Sequence, residues 1–140
     1  MKTSPSLKRF HASRHEFDFP DYEKMNANQT GHDNGLLGLW VSVRSDWIES
    51  FGGNIYEMEI QGKVAQLNLR ELSSWASEHQ NSLDFYRQKR MEFLDKGISY
   101  IALIEKDGES EMGIVVDFGS IKNFQRMENS IKKTMKGPSL

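Results

Sequence analysis

Residues 98–104 read Ile-Ser-Tyr-Ile-Ala-Leu-Ile, a continuous apolar run that ends at Glu105. Its length and its β-branched and aromatic content make it a strand. Lys106-Asp107-Gly108 follows as a hairpin turn signal, and Gly113 to Phe118 supplies the partner strand. A chain built around such a hairpin needs further strands and helices to cover it.

The rest of the sequence offers them. Leu7 to Ala12 reads as a short strand, and Phe17-Asp18-Phe19 alternates until Pro20 ends it. Leu36 to Val43 is an apolar run with a bend or close backbone approach at Gly38. Ser45-Asp46 suits a helix N-cap, with a short helix from Asp46 to Phe51 stopped at Gly52-Gly53. Asn54 to Ile60 alternates, with Tyr56, Met58 and Ile60 expected toward the core. Gln61-Gly62 is a turn, and a strand follows near Val64 to Leu69. Two helices then carry Leu72, Trp75 and Ala76, and Leu83, Tyr86, Phe93 and Leu94, at helical spacing, the second ending at Gly97. Residues 121–135 fit either a strand or a basic helix. Strands, then helices, then strands is an α+β order, not the strict alternation of a doubly wound sheet.

Composition narrows the function classes. One hundred and forty residues make one domain, read as a disordered lead over 1–7, a domain over 8–135 and a frayed tail over 136–140. The net charge of −2 gives no global field for nucleic acid. Lys122, Arg126, Lys132, Lys133 and Lys136 form a local basic run, read as a solvated face. With no cysteine there is no disulfide, thiolate metal site or cysteine nucleophile. No apolar run approaches the roughly 18 residues of a membrane span, and no signal peptide is visible, so a cytoplasmic protein is expected.

Four constellations carry chemistry. Phe10-His11-Ala12-Ser13 sets a ring donor, a small-residue amide and a hydroxyl together at a strand end. On Gly38-Leu39-Trp40-Val41-Ser42, Trp40 and Ser42 share a face with Gly38, and an indole there suits a flat, cationic ligand. Glu105, Asp107, Glu109, Glu111 and Asp117 surround the hairpin, where Glu105 shares the face of Ile101 and Leu103 and Asp117 suits a turn cap with Gly119. Finally, residues 24–35 form a long polar loop. There is no phosphate-cradling glycine loop, no HExxH and no His pair at metal spacing, so no metal site is expected.

Taken in order, Arg9 to Ser13, Gly38 to Ser42 with Phe51 to Ile60 after it, residues 85–105 and residues 113–121 resemble the ADP-ribosyltransferase superfamily. The resemblance is to its His–aromatic–acidic branch, and within it to compact phage and mobile-element domains such as the ADP-ribosyltransferase-like anti-CRISPR proteins. It implies split antiparallel β-sheets with flanking helices around an NAD cleft. His11 would bind the NAD ribose, Ala12 the nicotinamide carboxamide through its backbone, and Trp40 would stack on nicotinamide, with Gly38, Ser13 and Ser42 supporting the pocket. Glu105 would be the catalytic acid, with Glu111 and Asp117 as alternatives. Two departures stand out: Ala12 replaces the usual glycine, and the register from Glu111 to Asp117 is one residue off.

The implied function is mono-ADP-ribosyl transfer from NAD to a macromolecule in the bacterial cytoplasm. A protein target is expected, with nucleic acid left open, and the implied setting is a phage-encoded anti-defence effector. The alternatives are an NAD glycohydrolase and a catalytically silent domain that binds a partner.

Overall fold

Period-2 alternation builds the strands. Along Asn54–Ile60, Tyr56, Met58 and Ile60 are buried while Ile55, Glu57 and Glu59 stay partly exposed, as the sequence predicts. The computed structural model describes residues 6–13, 18–23, 36–44, 54–78 and 83–127. Its strands are β1 (Leu7–Ser13), β2 (Leu39–Ser42), β3 (Asn54–Ile60), β4 (Lys63–Asn68), β5 (Ile98–Ile104), β6 (Met112–Val115) and β7 (Ile121–Arg126). Helices α1 (Leu69–Glu78) and α2 (Leu83–Asp95) separate β4 from β5. The Asn68 side chain accepts from the Arg70 amide at the start of α1, and Gly97, at φ 74°, follows α2 as its expected stop. The choice left open for residues 121–135 resolves to a strand over Ile121–Arg126. The predicted helix 46–51, the loop 24–35 and the tail beyond 127 lie outside the described residues.

The class is α+β. Where the resemblance implies split antiparallel sheets, hydrogen bonding instead joins all seven strands in one mixed sheet, ordered β4-β5-β6-β2-β1-β3-β7. Two features make the difference. The helical crossover returns the chain parallel to β4, so β4 and β5 pair in parallel. A pair between Phe10 and Ser42 then keeps β1 joined to β2.

This sheet cannot be flat. Only Gln61 and Gly62 link β3 to β4, yet four strands lie between them in the sheet order. Five strand spacings come to about 24 Å, whereas the link reaches about 11 Å. The sheet therefore rolls up, and its two ends meet. There the Gln61 amide donates to the Ser120 carbonyl (3.1 Å). The Ser120 hydroxyl donates to that of Ser99, at 2.7 Å. A Cβ on Gly62 would lie 2.2 Å from the Ser99 hydroxyl, so only glycine fits this closure.

Rolling gives the sheet two apolar faces. Leu39, Val41, Met58, Ile60, Tyr100, Val115 and Ile121 fill the inside. On the outside, Leu72 of α1 and Tyr86 of α2 join Leu67, Ile101, Leu103 and Ile114 in a second core. Each such aliphatic side chain contributes about 1.5–3 kcal/mol when fully buried. Both faces of β5 are thus covered, which is why its sequence is apolar apart from Ser99, whose hydroxyl is bonded at the closure.

Candidate functional site at the seam between β1 and β2

β1 pairs with β3 along its whole length, from Leu7 opposite Ile60 to Ser13 opposite Asn54. Phe10 and Ser42 are the registered pair that joins it to β2.

His11 follows Phe10 on β1. Its Nδ1 lies 2.7 Å from the Trp40 carbonyl oxygen. A carbonyl only accepts, so Nδ1 carries the proton and Nε2 has the character of an acceptor. Burial pushes the imidazole pKa below 6.5, with the bond to Trp40 opposing in part. The ring is therefore neutral at pH 7. By alternation with Leu7, which packs on the inner core, Arg9, His11 and Ser13 face the inside of the roll. Opposite His11 on β3 is Tyr56, stacked on Phe124 with centroids 5.1 Å apart.

Trp40 faces the other way. Its neighbours Leu39 and Val41 belong to the inner core, while the half-buried indole packs on the helix-side core. The rings of His11 and Trp40 thus occupy opposite faces, linked through the backbone. Ser42 shares the outer side with Trp40, as its spacing predicts, and is fully buried. Its hydroxyl accepts from the Arg44 amide at 3.1 Å. Gly38 is fixed by packing, since a Cβ there would lie 2.1 Å from the Val115 carbonyl oxygen. Ala12 pairs with Ile55, and the Ser13 carbonyl accepts from the Asn54 amide group at 3.3 Å.

The acidic candidates are dispersed. Glu105 closes the hairpin through its backbone: its amide donates to the Glu109 carbonyl (2.8 Å) and its carbonyl accepts from the Gly108 amide (2.9 Å). It continues the outer face of Ile101 and Leu103, three strands from β1, about 17 Å from His11 along the sheet. Glu111 lies just before β6, where its carbonyl accepts from the Val43 amide at 3.0 Å. It is exposed, two strands from β1 and about 12 Å from His11 along the sheet. Asp117 caps the short turn Phe118–Ser120, its carboxylate accepting from the Gly119 amide at 3.0 Å. The roll therefore separates His11 on its inside from Trp40 on its outside, with Glu111 exposed and Glu105 half-buried by the hairpin.

Arg9 is a candidate that the sequence reading passes over. Two residues before His11 and on the same face, it donates from Nε to the Tyr100 hydroxyl at 2.9 Å. Period-2 parity on β1 was the available signal. Among the described residues no group of His, Asp and Glu is placed to hold a metal ion, and no helix is long and apolar enough to cross a membrane. No family model, curated protein or solved structure matches the chain.

Proposed function

We propose that the chain is an NAD-consuming mono-ADP-ribosyltransferase whose dinucleotide lies along the seam between β1 and β2. The observation that carries this reading is a neutral His11 anchored to the Trp40 carbonyl across the junction that Phe10 and Ser42 make between β1 and β2. A neutral imidazole suits a sugar hydroxyl, and the Ala12 backbone suits the carboxamide.

In the reaction, the bond between ribose and nicotinamide breaks and nicotinamide leaves with the bonding pair. A nucleophile of the target, a protein in this reading, bonds to the same ribose carbon and loses its proton. Positive charge develops on the sugar, and a fixed carboxylate stabilises it. The strand order favours Glu111 for this role over Glu105, because Glu111 immediately precedes β6 and β6, β2 and β1 are neighbours. Trp40, on the outer face, supports the seam through its backbone. The bacterial cytoplasm and an anti-defence target belong to this proposal through the resemblance.

A second reading, a catalytically silent domain that binds a partner, draws on the separation of Trp40 and Glu105 from His11. Incubation with labelled NAD and bacterial lysate separates the two. A transferase labels a discrete band, and Glu111→Gln removes the label while Glu105→Gln keeps it. Nicotinamide release without a labelled band means a glycohydrolase. Neither product means a silent domain.

A further inference from the structure

Tyr100 is fully buried inside the roll. Its ring lies so close to β6 that a Cβ at position 113 would come within 1.9 Å of its hydroxyl, which is why glycine stands there. That hydroxyl accepts from Arg9 Nε at 2.9 Å, and the guanidinium carbon sits 5.1 Å from the ring centroid. The inside of the roll thus holds one side of the Arg9 guanidinium in a fixed orientation. A terminal nitrogen, Nη1, donates to the neighbouring Lys8 carbonyl at 2.8 Å in an exposed position. The terminal nitrogens therefore lie toward the mouth of the roll.

Arg9 is partly buried and pairs with no carboxylate among the described residues. The ion pairs found there are Lys8 with Glu57 and Lys89 with Glu92. A half-buried guanidinium, oriented through Nε, open to solvent at its terminal nitrogens and without a carboxylate partner among the described residues, is a receptor for an oxyanion. Its planar donors match phosphate, and prior orientation reduces the entropy lost on binding.

We infer that Arg9, positioned by Tyr100, binds phosphate oxygens at the inner mouth of the roll, and that in the working protein these are the pyrophosphate oxygens of the dinucleotide. The first half stands on geometry alone, while the second rests on the proposed NAD reading. Tyr100 is a positioning residue: it touches no ligand and acts through Arg9.

Calorimetric titration of the full chain with inorganic pyrophosphate and with ADP-ribose tests both halves. Wild-type protein binds both, ADP-ribose more tightly. Arg9→Met abolishes pyrophosphate binding and weakens ADP-ribose roughly 10- to 100-fold, the loss of a charged hydrogen-bonding pair. Tyr100→Phe and Arg9→Lys keep the charge, and each weakens pyrophosphate severalfold with little change in melting temperature. These two variants carry the test if Arg9→Met does not fold. Unchanged pyrophosphate affinity in folded Arg9 variants overturns the site and makes Arg9 a strut across the roll. Absence of pyrophosphate binding by wild-type protein overturns it too. Arg9-dependent pyrophosphate binding with ADP-ribose no tighter than pyrophosphate upholds the anion site and overturns the dinucleotide.

Discussion

The imidazole of His11 is tied through Nδ1 to the backbone carbonyl of Trp40, 2.7 Å away, next to the Phe10–Ser42 pair that joins β1 to β2. Burial holds the folded-state pKa of this ring below 6.5, so the fold keeps it neutral while the unfolded chain takes up a proton as pH falls through that value. The unfolded state then binds more protons, and stability drops with acid below about pH 6.5. Above that pH both states are neutral and the full stability is present. Thermal melts of wild-type protein and His11→Gln at about pH 7.5 and about pH 5.5 are expected to show a smaller loss in the variant. Equal losses would mean that His11 does not titrate on unfolding.

Glycines 38 and 113 are fixed by contact. A methyl at 113 meets the Tyr100 hydroxyl at 1.9 Å and ring carbon at 2.2 Å, and one at 38 meets the Val115 carbonyl at 2.1 Å. Neither neighbour can yield, because Tyr100 and Val115 are fully buried. Gly113→Ala and Gly38→Ala should each cost about 3 kcal/mol in denaturant unfolding, as for overpacked cores. Gly97 has open space around it but a φ of 74°, so Gly97→Ala should cost only about 1 kcal/mol.

Closure of the roll depends on the hydroxyl pair of Ser99 and Ser120. Both side chains are buried, so removal of Ser120 takes away this donor to Ser99, while removal of Ser99 leaves Ser120 only the longer contact to Asp117 Oδ2 at 3.4 Å. A double-mutant cycle with Ser99→Ala and Ser120→Ala should give a coupling of about 1 kcal/mol. Additive single changes would show that the pair contributes nothing to closure.

Much of the local structure is legible in the sequence because its causes are local. Alternation along Asn54–Ile60, the turn after Ile104 and the stop at Gly97 each depend on neighbouring residues. Asp117 caps its turn with Gly119 for the same reason. Which strands become neighbours is another matter. Gln61-Gly62 reads as a turn, yet the strands it joins do not pair, because rolling brings their ends together without their edges. The same gap affects the site. Parity within β2 correctly groups Trp40 with Ser42, and parity within β1 groups His11 with Arg9. Only the cross-strand pair of Phe10 and Ser42 reveals that these two groups lie on opposite faces.

Backbone amide shifts on addition of NAD test the site between β1 and β2 most directly. The prediction is saturable shifts concentrated at Phe10 to Ser13 and Leu39 to Ser42, reduced in His11→Gln. Saturating NAD with no shifts there, or with shifts confined to other strands, would contradict a dinucleotide site between β1 and β2.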